Sequence, residues 1–306
     1  MALEHNISKK CGLKITGHKD IDFVDINVRR DTRLFVDPCL IESCGDAFSR
    51  ECSSTIADYF GKLYAVFERG DRHEIYLHLS HLGERNEARL GYGNGRNGKA
   101  KTAEGMMETL SGIKDLIQSG LPMERAIDIP VLTPKFAEDC MSDMLMNILY
   151  KHLSEYTIEQ CRKHGIPTAH ARKKQYYWDD EEHCWKIYEG ESLIVDGAVV
   201  LLVPKRYVHT RFYYSTGHFF MSKIAPFLQE RDATTIVGKT KKPSKKQVRA
   251  SECQRWGSLL TAALENAKIR PSVLAEYHLD ISKSYVGRRL ADSQLDAILY
   301  INRDEA

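Results

Sequence analysis

Apolar positions recur along the chain first at helical and then at strand spacing. Ile56, Tyr59, Phe60, Leu63, Val66 and Phe67 share one face of a helix that Ser53 or Ser54 can cap and Gly70 can end. Met106, Leu110, Ile113, Leu116 and Ile117 form a second stripe, closed by Gly120. Leu145, Ile148, Leu149, Leu153 and Tyr156 form a third, with Ser142 as its cap and an end near residues 165–167. Residues 21–28 (IDFVDINV) and 34–36 suggest short strands, the second running into Asp37-Pro38. The alternation in 74–79 (EIYLHL) predicts another, followed by a glycine-rich loop to Lys101.

From Gln175 the period changes to two. QYYW, HCWKIY, SLIV and AVVLLV are separated by polar turns at 179–182, 189–191 and Asp196-Gly197. Asp-Gly between apolar runs is a strong hairpin signal, because a primed turn needs positive φ. An antiparallel meander over about 175–208 is expected, its last strand covered on both faces. Residues 236–250 read as a basic linker. They are followed by a helical tail over 251–306, with helices starting at Ser251, Pro271 and about Leu290. The fold class is therefore α/β or α+β: a main domain over 1–235 in which amphipathic helices pack a mixed sheet, then the linker and the tail module.

Composition adds bounds. At 306 residues, 42% hydrophobic and 28% charged, the chain is globular and long enough to bury a core unaided. The net charge of +2, from 44 basic and 42 acidic residues, selects no partner. Its distribution is uneven: Asp179, Asp180, Glu181 and Glu182 form an acidic knot, while Lys239, Lys241, Lys242, Lys245, Lys246 and Arg249 form a basic run. No apolar stretch matches a signal peptide or a membrane span. The eight cysteines then read as reduced thiols in a cytoplasm, mostly buried as small apolar groups.

The motifs divide into failures and candidates. Gly93-Asn-Gly-Arg-Asn-Gly98-Lys99 fits the start of a phosphate-binding P-loop, yet Ala100 stands where the Mg²⁺-binding hydroxyl belongs, and no buried strand precedes it. The same loop, with Arg89, Arg96, Lys99 and Lys101 around its glycines, suits a phosphate oxygen or is a solvated surface loop. Histidines and cysteines lack the spacing of a zinc site, and no serine or cysteine nucleophile signature is present. Asp139 and Asp143, i and i+4 at a helix start, either stabilise that start or share a divalent cation, with Asp37 as a third ligand. Lys205 leaves the most apolar strand as the lysine of a restriction-endonuclease-like core does, but Val203 occupies the acid position. Asp196 across the hairpin, or Asp143 on the helix, is the candidate replacement. The run Lys241, Lys242, Lys245 and Lys246, with Arg206 and Arg211 and aromatics including Tyr207 and Tyr213, offers phosphate neutralisation and base stacking. A plain interdomain linker explains the lysines equally well.

Three patches carry a resemblance: 142–144 with 155–157 and 160–161, the strand exit 201–205 (LLVPK), and 241–246 (KKPSKK). Together they resemble a group of bacterial proteins found among antiviral, phage-defence genes. The resemblance implies a cytosolic protein that acts on or senses nucleic acid, and it assigns no catalytic residue. Two readings follow. One is a Mg²⁺-dependent phosphodiesterase using Asp139, Asp143, Lys205 and Asp196, with Asp37 on the metal. The other is a non-enzymatic subunit that binds DNA, RNA or a protein partner, alone or as an oligomer.

Overall fold

Asp46 decides where the longest helix begins: its carboxylate accepts the Ser49 amide, starting Ala47–Arg69 ahead of the expected serines. Gly70 ends that helix with φ +73, the left-handed conformation glycine adopts without penalty. The computed structural model describes residues 2–92, 102–134, 136–236 and 239–300. The described chain is mixed α and β, with helices outweighing small antiparallel sheets, as the pattern predicts.

Several elements differ from their sequence reading. The alternating stretch 74–79 is helical, Arg72–Leu79, because Asp71 caps it by accepting the His73 and Glu74 amides. Ile75 and Leu79, one turn apart, face inward, leaving Tyr76 and Leu77 exposed. Residues 21–28 form no strand. They lie extended against other loops through the bridges Asn6↔Asn27 and Phe23↔Pro204, and Val24 donates to the Val203 carbonyl. The stripe 106–117 is two helices, Ala103–Thr109 and Ile113–Gln118. Ser142 is not a cap. It lies inside the helix Glu138–Ile148, and its hydroxyl accepts the Val36 amide, tying that helix to strand β1 (Phe35–Val36). The next helix, Tyr150–His164, ends at Gly165 in the left-handed region.

The meander is two hairpins. After the short β2 (Ala169–His170), strands β3 (Gln175–Asp179) and β4 (Cys184–Tyr188) pair with each other. Strand β5 (Glu191–Val195) pairs with both β2 and β6 (Ala198–Val200). The β5–β6 turn is the expected Asp-Gly turn, with φ +51 at Asp196 and +80 at Gly197. Residues 201–203 are buried as expected but leave the sheet: the Leu201 and Leu202 amides bond to the Glu87 carbonyl and the Thr157 hydroxyl. β7 (Val208–His209) then returns antiparallel to β1, pairing Phe35 with His209.

The described residues of the segment read as a linker are structured. β8 (Thr234–Ile236) pairs with β9 (Lys239–Lys241). A helix begins at Lys245, not Ser251, because Ser244 and Gln247 form a capping box. The following helices, Leu259–Ile269, Ser272–Ser284 and Asp292–Tyr300, share one apolar core with the rest of the chain. Polar contacts pin the last two to it: Tyr285 to Asp37 at 2.7 Å, His278 to Asp128 at 2.6 Å, Tyr300 to Asp25 at 2.9 Å, and Asp296 to His18 at 2.7 Å.

Candidate functional site

The residues expected to hold a metal are divided among separate neighbourhoods. Asp139 and Asp143 do share a face of the Glu138–Ile148 helix. Asp143 accepts the Arg85 amide at 3.2 Å, and Asp139 lies so close to Gly91 that a Cβ there would meet its carboxylate at 2.5 Å. Asp37 is fully buried elsewhere, capping Pro38–Ser43 through the Cys39 amide and bonded by the Tyr285 hydroxyl. Asp196 pairs with Lys10 at 2.6 Å, and Lys205 with Asp292 at 2.7 Å and the His18 carbonyl at 2.5 Å. Among the described residues, no three His, Cys, Asp or Glu side chains gather as metal ligands would.

The expected nucleic-acid contacts are also dispersed. Arg96, Lys99 and Lys101 lie outside the described residues. Arg206 pairs with Asp46 and rests over Tyr207. Lys242 pairs with Glu230, Lys245 donates to the Met221 carbonyl, and Lys241 and Lys246 are exposed. Arg89 reaches toward Asp31 at 3.7 Å.

A different constellation is assembled. A cleft of about 950 Å³ is lined by Arg30 and Arg33 from the segment before β1, by Arg211 after β7, and by Arg288 and Arg289 after the Ser272–Ser284 helix. Its acid is Asp31, which Arg89 approaches from the other side. None of the five arginines is in an ion pair with a carboxylate among the described residues. The strand register explains part of the crowding. Phe35 pairs with His209, so continuing the antiparallel register places Arg33, two residues before Phe35, opposite Arg211, two after His209. Like charges directly opposite destabilise a strand pair. An anion between them would reverse that sign.

Tyr213 organises the floor. The Arg288 guanidinium lies 4.3 Å and that of Arg211 5.3 Å from its ring centroid. The Tyr213 amide donates to the Tyr285 hydroxyl at 3.1 Å. Arg288 Nε donates to the Ser284 carbonyl at 2.5 Å, which fixes the side chain while its terminal nitrogens stay available. Burial, with Arg211 and Arg288 nearby, holds the His209 pKa below its usual value. The neutral ring accepts the Thr210 amide on Nδ1, so its proton sits on Nε2 and is donated to the Tyr213 oxygen 3.1 Å away. The Tyr213 hydroxyl is then free to donate elsewhere. Forked, preoriented guanidiniums with a hydroxyl donor suit phosphate oxygens.

A family model described as Domain of unknown function (DUF8370) matches residues 12–215, about two thirds of the chain. The chain belongs to that family. No curated protein and no solved structure matches it. The DUF8370 segment carries Arg30, Arg33, His209, Arg211 and Tyr213, whereas Arg288 and Arg289 come from beyond it. Of this set, Arg211 and Tyr213 were within reach of sequence reasoning as a cation beside an aromatic. The paired arginines 29–30 and 288–289 carried a signal too, but one divided between the two ends of the chain.

Proposed function

We propose that this protein binds nucleic acid, gripping phosphodiester groups in the arginine cleft, and that it does so as a binding rather than a cleaving protein. The observation that carries this reading is five convergent arginines without carboxylate partners among the described residues, two of them fixed against Tyr213. Cations held close together against their mutual repulsion are stabilised by a polyanion, and guanidinium forks match phosphate geometry. The dispersal of Asp37, Asp196 and Lys205 from Asp139 and Asp143 leaves the phosphodiesterase reading without a shared centre among the described residues. The resemblance to antiviral proteins would give such binding its setting.

The test is fluorescence anisotropy with labelled oligonucleotides over a salt series. Full engagement of the five arginines with a single strand gives a log–log salt slope of about −3.5, at roughly 0.7 per phosphate contact. Arg211→Gln with Arg288→Gln should weaken binding and make the slope shallower by about 1.4. Salt-insensitive binding, or a double variant that binds as wild type does, overturns the reading. So does the absence of oligonucleotide binding together with capture of an acidic protein.

A further inference from the structure

A second basic cleft adjoins the first. About 980 Å³ in volume, it is lined by Arg29 and Arg89, by the exposed side chains His170, Arg172 and Lys173, and by Glu87 and Asp196. Asp196 is paired with Lys10 at 2.6 Å, while Glu87 accepts only the neutral Gln175 amide at 3.0 Å and leaves one negative charge against several cations. Arg29, Arg172 and Lys173 have no ion pair among the described residues. The uncommitted charge of this cleft is therefore positive.

The two clefts flank one ridge, residues 28–33. Arg29 lines one side while its neighbour Arg30 lines the other, and adjacent Cα atoms are only about 3.8 Å apart. Asp31 of the first cleft faces Arg89 of the second across the crest at 3.7 Å. The ridge is held in place: the Thr32 amide donates to the Arg89 carbonyl at 2.9 Å, and the Gly91 amide to the Thr32 carbonyl at 2.8 Å. Beside Arg33 of the first cleft, Tyr92 keeps 45% of its surface exposed, with the Arg33 guanidinium 5.3 Å from its ring centroid. An exposed ring beside a cation is a platform for an unpaired base.

Size selects the form of the ligand. A volume of about 950 Å³ corresponds to a cube about 10 Å on an edge, too small to take in a duplex, whose major groove alone is roughly 12 Å wide. One strand enters such a cleft; a duplex rests on its rims. We propose that the two clefts form one track, and that the ligand is an extended single strand whose phosphates run from the arginine cleft over the 28–33 ridge to Arg29, Arg172 and Lys173. The inference rests on the nucleic-acid reading above and adds the strandedness and the path.

The experiment is a length series of single-stranded oligonucleotides, from about 3 to about 16 nucleotides, with a duplex of the longest. Each is titrated into the full chain as wild type, as Arg211→Gln/Arg288→Gln, and as Arg29→Gln/Arg172→Gln. Single strands should outcompete the duplex. Wild-type affinity should rise with length until both clefts are filled. The Arg29/Arg172 variant should bind the shortest oligomer as wild type does and lose at least about tenfold on the longest. The Arg211/Arg288 variant should lose affinity at every length. If the Arg29/Arg172 variant matches wild type throughout, or the duplex binds as tightly as the single strand, the track is wrong while the arginine cleft stands. If the Arg211/Arg288 variant is also unaffected, or no oligomer binds, both fail.

Discussion

Replacing Asp37 by asparagine should flatten the pH dependence of this protein's stability. The carboxyl is fully buried, and its pKa is pushed up to about 7. Burial is the main cause and the Glu42 charge adds to it, while hydrogen bonds from the Tyr285 hydroxyl and the Cys39 amide oppose it. In the unfolded chain an aspartate titrates near about 3.9. Between those two values the native state holds a proton that the unfolded state has released. Stability from this group is therefore complete below about pH 4 and falls as pH rises through 7. A gap of roughly 3 units corresponds to about 4 kcal/mol, of which about 3 kcal/mol is lost between about pH 5 and about pH 8. The asparagine side chain would be uncharged throughout, and its carbonyl oxygen can still accept the Cys39 amide. Urea midpoints for wild type and Asp37→Asn across that range isolate this one titration, because every other group cancels in the difference. The variant should gain about 3 kcal/mol on wild type from the acidic to the alkaline end. Parallel curves would refute the reasoning. Such parallel curves would show instead a carboxylate held ionised by Tyr285 across the whole range.

Tyr285→Phe removes the hydroxyl that bonds Asp37 and accepts the Tyr213 amide. It should cost about 1–3 kcal/mol in a denaturation assay, and carry the Asp37 titration to higher pH because that hydroxyl favours the carboxylate. Arg85 is buried, lies 4.5 Å from the Tyr150 ring centroid and donates to Gln175 and the Tyr176 carbonyl. Arg85→Ala should therefore destabilise by about 3 kcal/mol, with Arg85→Lys recovering little because an ammonium has neither the planar face nor the fork; thermal melts of both decide it. Of the eight free cysteines only Cys184 is exposed, so a thiol reagent should give one fast equivalent that disappears in Cys184→Ser; a fast phase surviving that change would refute the assignment.

The sequence carried the fold's burial pattern better than its element types. The Ala47–Arg69 helix was legible because a long stripe has only one helical reading. In 74–79 the two periods coincide: Ile75, Leu77 and Leu79 alternate, while Ile75 and Leu79 also lie one helical turn apart. The Asp71 cap, just outside the apolar pattern, decided for helix. Residues 201–203 were read correctly as buried and wrongly as strand, since a side chain's apolarity does not say whether its backbone partner is a strand, the Glu87 loop or a threonine hydroxyl. The Lys245 helix was hidden by lysines that read as solvated linker, although Ser244 and Gln247 have the spacing of a capping box.

The candidate site was hardest to read because proximity makes it. Asp37, Asp139, Asp143 and Lys205 were singled out by residue type and local position, and each proved to have a structural partner within a few residues or across the core. The arginines 30, 33, 211, 288 and 289 are ordinary where they stand in sequence. Two long-range contacts make them a site. The β1–β7 register carries 33 toward 211, and the Tyr285 hydroxyl, joined to both Asp37 and the Tyr213 amide, carries 288 and 289 to the same place. The fold therefore places a fully buried carboxylate behind the wall of this arginine-lined cleft. That arrangement is intelligible if an anion binds there, and under the proposed function the Asp37–Tyr285 contact is what holds Arg288 and Arg289 against Arg211.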